Sequence, residues 1–152
     1  MRRVVLLLSL LILGAMNISA QDTLLAFLKK ELIRIDSIAK SVDNNKQLKV
    51  SPVTGASAVR KQYNAMAYQQ PRSLELQKLS IVPVSSGEQQ TVYVIGKKIL
   101  KVVLESGEYY AINNSYYDNS LARVVSPPLL ENFSDCQDIL KIVTSILTPV
   151  KK

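Results

Sequence analysis

Between residues 23 and 43 the apolar positions Leu25, Leu28, Leu32, Ile35, Ala39 and Val42 recur every three or four residues, with Lys29, Lys30, Arg34 and Lys40 mostly between them. That period lines one face of an amphipathic helix. Asp22 stands where a cap belongs and Asn44-Asn45 where a helix stops. From Leu74 the period falls to two. Strands are expected over Leu74 to Val82 (ending near Pro83), Thr91 to Ile95, Ile99 to Leu104, Tyr109 to Ile112 and Leu121 to Val125, the last stopping before Pro127-Pro128. Ser85-Ser86-Gly87, Gly96-Lys97-Lys98 and Ser106-Gly107 supply the turns. Strands joined this closely pair antiparallel.

A second helix follows. Ser134 and Gln137 have capping-box spacing, and Cys136, Ile139, Leu140, Val143, Ile146 and Leu147 form one stripe that Thr148-Pro149 ends. Residues 46–73 carry no clear period. Ser51-Pro52 and Gly55 break the chain, and Tyr63, Met66 and Ala67 share a helical face, which favours a short helix over an irregular strand for 56–70 before Pro71. The expected fold is α+β: N-terminal and C-terminal amphipathic helices packed together on one face of an antiparallel β-meander of about four or five strands.

Ahead of this domain lies a segment of another kind. Arg2 and Arg3 precede an apolar run from Val4 to Leu13, broken only by Ser9, and Gly14 to Ala20 is small and turn-prone. Those are the three parts of a secretory signal peptide. An apolar run of about ten residues is short of the roughly 20 that span a bilayer. Residues 1–20 therefore read as a signal peptide cut after Ala20, with an uncleaved anchor as the alternative, and 21–152 as one small domain that is periplasmic or extracellular. No later stretch reads as a membrane span.

Loss of Arg2 and Arg3 lowers the formal charge from +7 to +5. The remaining cations are scattered rather than gathered into a nucleic-acid face, so nucleic acid is not an expected partner, though weak attraction to a polyanion fits. The chain has one cysteine, Cys136, so it holds no internal disulfide; on the apolar stripe it reads as a small buried hydrophobe.

The chain contains no histidine. That removes the usual general base, Ser-His-Asp and Cys-His nucleophile pairs, and the commonest zinc ligand. No glycine-rich phosphate loop is present, and no cofactor or metal is implied. Glu105 and Glu108 flank the Ser106-Gly107 turn and could be imagined as paired carboxylates. At a hairpin tip they read as solvated. The expectation is a non-enzymatic domain.

Tyr93-Val94-Ile95-Gly96 followed by Ile99-Leu100-Lys101-Val102-Val103 is echoed by Tyr110-Ala111-Ile112-Asn113 followed by Leu121-Ala122-Arg123-Val124-Val125. The second copy is five residues longer, with Asn114 to Ser120, rich in tyrosine and asparagine, where the first has Lys97-Lys98. Tyr109 and Tyr110 must point to opposite strand faces, whereas Tyr116 and Tyr117 have no such duty in a loop. Tyr116, Tyr117, Asn114 and Asn119 are thus the candidate partner-binding residues, suited to a protein or glycan. The alternative is a loop whose tyrosines fold onto the sheet. Asn113-Asn114-Ser115 and Asn132-Phe133-Ser134 are glycosylation sequons in a host that uses them. The leading expectation is a small exported binding or interaction domain; a structural envelope component is the first alternative and a histidine-free enzyme the second.

Overall fold

A computed structural model describes the backbone of residues 2–57 and 61–147, and side chains from residue 20 onward. The expected helix stop at Thr148-Pro149 and the side chains of the signal segment lie outside that description. The elements are α1 (Arg2–Asn44), β1 (Lys49–Ala56), β2 (Gln62–Gln69), β3 (Leu76–Pro83), β4 (Gln90–Ile95), β5 (Lys98–Leu104), β6 (Gly107–Ile112), β7 (Ser115–Asp118) and α2 (Pro127–Leu147). The strands form one antiparallel sheet in chain order, β1 to β7.

The α+β architecture with a helix at each end is as expected, but there are seven strands rather than four or five. Two of the additional strands come from residues 46–73, and one of them, β2, from the part read as a short helix. In β2 the buried positions are Tyr63, Ala65, Ala67 and Gln69, a period of two, while Met66 is exposed. Alanine is a strong helix former, but opposite a packed helix its small side chain suits a crowded strand face. β3 begins at Leu76, because Leu74 turns the chain at φ 57°.

The helices do not share a face. On one side Phe133, Cys136, Ile139, Leu140 and Val143 of α2 pack with Val53, Tyr63, Ala65, Leu79, Ile81, Val92, Val102 and Tyr109 in one continuous apolar core. On the other, α1 makes two smaller clusters. Leu28 and Ile35 meet Tyr110 and Ile112, and Ala39 and Val42 meet Tyr93. Tyr109 and Tyr110 are both buried, one in each core. The predicted stripe of α1 holds except at Leu25, which is 42% exposed.

Both helices begin earlier than expected. α1 runs unbroken through Asp22, so Asp22 does not cap it. α2 begins at Pro127, with Leu130 N donating to Ser126 O, rather than at Ser134. Proline is well placed in a first helical turn, where its missing N–H would have had no partner. Two prolines that look like a strand stop are a helix start.

At the sheet margins, Ser57 N donates to Lys61 O. By antiparallel alternation the bonded pairs of β1 are then its odd-numbered residues, such as Val53↔Ala65. Val50, Pro52 and Thr54 therefore turn their amide positions away from β2, and Pro52 has no N–H there. β7 is closed on its outer side: Val124 N donates to Tyr116 O and Asp118 N to Ala122 O. Residues 121–125 thus form an isolated bridge, Tyr117↔Arg123, rather than the predicted strand.

Candidate functional site

Antiparallel order places the β2–β3, β4–β5 and β6–β7 connections at one end of the sheet. Each is built by local chemistry. In the first, Gln70 N donates to Glu75 O and Leu74 N to Gln70 O. In the second, Gly96 takes φ 61° between paired Ile95 and Lys98. In the third, Asn113 and Asn114 both take positive φ, 49° and 60°, between paired Ile112 and Ser115. That is a type I′ hairpin turn, which asparagine tolerates better than most side chains. The supposed long loop is therefore a tight turn followed by a strand.

Two open clefts lie between these turns. One, of about 720 Å³, is lined by Arg34, Lys97, Lys98, Asn113, Asn114 and Gln137, among others, over a floor that includes Ile99, Leu100 and Ile112. The other, of about 790 Å³, is lined by Gln47, Gln70, Arg72, Ser73, Glu75 and Gln77, among others. The β4–β5 turn separates them. Glu31 is held by Arg34 at 2.9 Å, and Glu75 accepts from Gly96 N at 3.0 Å. Arg72, Lys97 and Lys98 have no ion-pair partner among the described residues. The opposite end differs in sign: its clefts are lined by Glu88, Glu105, Glu108 and Asp118.

The four predicted binding residues separate. Asn114 and Tyr116 line the 720 Å³ cleft. Tyr116 also stacks on Phe133, centroids 4.1 Å apart, and burial pushes its hydroxyl up to about 12. Tyr117 packs beside Tyr110 on the α1 face. Asn119 lies at the far end, next to Asp118, whose carboxyl is lowered by Ser120 and by backbone N–H groups of Ser120 and Ala122. Both tyrosines have packing duties because residues 115–118 are strand. Asn113 of the first sequon is exposed at its turn, whereas Asn132 of the second lies on α2 next to buried Phe133.

A second constellation went unseen in the sequence. Cross-strand registry aligns Tyr68, Lys78, Tyr93, Lys101, Tyr110 and Tyr117 in one row beneath α1. α1 lays two carboxylates on it. Asp43 accepts from Lys78 Nζ at 2.6 Å and Tyr93 OH at 2.7 Å; Asp36 accepts from Lys101 Nζ at 2.7 Å and Tyr110 OH at 3.0 Å. Glu108 joins them, 2.9 Å from Lys101 Nζ, so it is not the free turn carboxylate the sequence suggested. The spacing fits. Seven helical residues advance about 10.5 Å, close to the roughly 9.5 Å across two strand spacings from β3 to β5.

Burial alone would lower Lys101, but Asp36 and Glu108 outweigh it and hold the ammonium above the usual lysine range. Burial first, then the adjoining carboxylates, raise Tyr93 and Tyr110. A lysine held charged and tyrosines held neutral offer neither a base nor a nucleophile near pH 7. The row clamps α1 to the sheet.

Neither family models, curated proteins nor solved structures match the chain. Among the described residues no group of three or more Asp, Glu or Cys side chains is placed to hold a metal ion, and no helix is long and apolar enough to cross a membrane. Buried Cys136 donates its thiol to Gln90 Oε1 at 3.4 Å, and burial pushes that thiol up to about 12.

Proposed function

We propose that this chain is an exported, non-enzymatic binding domain that takes its ligand at the three-turn end of the sheet. Export rests on the charged, apolar and small-residue segments of residues 1–20, with release after Ala20. The binding reading rests on one observation: two adjacent open clefts lined by carboxamides and unpaired cations, supported by the rigid ends of paired strands. Turns anchored on such a scaffold are preorganised, which lowers the backbone-ordering cost of binding. Of the residues singled out in the sequence, Asn114 stays in the proposed site with Tyr116 at its wall, while Tyr117 and Asn119 leave it.

The test separates fold from ligand. Glycine suits both positions of a type I′ turn, so Asn113→Gly/Asn114→Gly removes two carboxamides and keeps the hairpin. The variant should keep the wild-type Tm and lose co-sedimentation with the cell-envelope fraction of its host. Retained co-sedimentation would move the binding surface elsewhere. Intact mass of exported material should correspond to a chain starting at Gln21; a membrane-held species retaining Met1 would end the release reading.

A further inference from the structure

We propose, resting on the reading above, that the three-turn end binds an acidic polysaccharide. Three features of the groove point to that chemistry. First, its charge is uncompensated in one sense. Glu31 is paired with Arg34, and Glu75, bonded to Gly96 N, keeps its charge, so Arg72, Lys97 and Lys98 outnumber the one remaining carboxylate and are left for anionic groups of a ligand. Second, the cations alternate with neutral side chains that both donate and accept: Gln47, Gln70, Gln77, Asn113, Asn114 and Gln137. A carboxamide is matched to vicinal hydroxyls, which also donate and accept. A chain bearing both hydroxyls and carboxylates satisfies both sets. Third, the acidic opposite end, with Glu88, Glu105 and Asp118, steers a polyanion toward the basic end.

The same geometry disfavours the other polymers. Single-stranded nucleic acid needs exposed aromatic platforms. Tyr116 is the only aromatic lining residue of these two clefts, and its ring is stacked on Phe133. An extended peptide added to the sheet needs an open strand edge. β7, the strand beside the larger cation group, already bonds residues 122 and 124 along its outer side. The groove offers side-chain ends and turn tips, not a backbone ladder.

Isothermal titration of the purified protein with polygalacturonate, dextran, polyglutamate and an oligothymidylate, at two salt concentrations, tests the proposal. Polygalacturonate should bind, more weakly at the higher salt, and at least tenfold tighter than the other three. Lys97→Gln/Lys98→Gln should weaken it about tenfold and flatten the salt dependence, and Asn113→Gly/Asn114→Gly should weaken it with the salt dependence unchanged. Binding of polyglutamate as tight as that of polygalacturonate would reduce the site to bare charge and overturn the proposal. So would absence of polygalacturonate binding, or binding that neither double variant alters. Dextran or oligothymidylate bound instead, and lost in Asn113→Gly/Asn114→Gly, would overturn the acidic-glycan assignment yet leave the three-turn end as the site. An Asn113→Gly/Asn114→Gly variant that keeps its envelope co-sedimentation would remove the site itself, whichever polymer binds.

Discussion

The two faces of the sheet are held by different physics. Under α2 the contact is mainly apolar, with the Cys136 thiol on Gln90 as a weak hydrogen bond across it, and Phe133 packs between Tyr109 at 5.2 Å and Tyr116 at 4.1 Å. Under α1 the apolar contact is divided: Asp36 sits between Leu28–Ile35 and Ala39–Val42, and Asp43 follows Val42, each on its lysine and tyrosine. An apolar contact is indifferent to direction, whereas a hydrogen-bonded charge pair is not. The α2 face supplies most of the stability. The α1 face sets where along the row the helix rests, because a shift by one residue would carry Asp36 off Lys101.

Substitutions on the two faces should separate their contributions. Phe133→Ala should have the largest effect, about 3–5 kcal/mol, or a fall in Tm of roughly 10 °C or more. Denaturant unfolding that shows a loss under about 1 kcal/mol would contradict the division of labour. The neighbouring tyrosines provide a paired comparison. Tyr116→Ser removes a ring stacked in the α2 core and should cost about 2 kcal/mol, whereas Tyr117→Ser, on the divided face, should cost about 1 kcal/mol. Equal losses would mean that the faces are alike.

Lys101→Met keeps the stem and removes the charge. Its own side chain is 8% exposed, but Asp36 and Glu108 are 42% and 47% exposed and can rehydrate, so the cost should be about 1–2 kcal/mol rather than that of a fully buried pair. Backbone amide exchange should rise in residues 28–44 more than in α2. Cys136→Ser should cost about 1 kcal/mol, because Gln90 still offers an acceptor; native Cys136 should resist alkylation until the protein unfolds, being 0% exposed.

The smallest effect is one of pH. Burial opposes the shift, but Lys78 and Tyr93 lower the Asp43 carboxyl below its ordinary value. A lowered carboxylate stabilises the fold above its unfolded pKa, near 4, and that contribution is lost as pH falls through the folded value. Wild type should lose stability between pH 4 and lower values, by less than about 1 kcal/mol at a site this exposed. Asp43→Asn should remove that part of the slope, and an unchanged slope would assign it to other carboxylates.

The same contrast explains what could be read in the sequence. α1, β4, β5 and β6 were legible because their apolar periods repeat over adjacent residues. Cys136, Ile139, Leu140 and Val143 were read correctly as one face for the same reason. The Tyr–Lys row was not legible: its members lie on six strands and become neighbours only through registry, from Tyr68↔Lys78 to Tyr110↔Tyr117. Asp36 and Asp43 share the stripe of α1 but carry a polar label, so a hydrophobicity pattern passes over them. β2 was mistaken because its inward side chains include Ala65 and Ala67, which fit a helix as well. The site was half visible. Asn114 was found for its composition, but its use as a turn residue was the missed signal: two asparagines between Ile112 and Ser115 satisfy a two-residue hairpin. Arg72, Lys97 and Lys98 looked scattered because the β2–β3 and β4–β5 turns that carry them are far apart in the chain.

Pro52 carries a consequence for how such a sheet ends. A strand approaching β1 from solvent meets donors at Val50 and Thr54 with none between them, so a growing ladder would have to leave one carbonyl unanswered at its middle. On the far margin, residues 122 and 124 already occupy the β7 ladder. Neither border offers an eight-residue template to another chain, and templates of that kind are what seed fibrils and strand exchange. A sheet that stops itself at seven strands can stand crowded beside its own copies and stay unmerged.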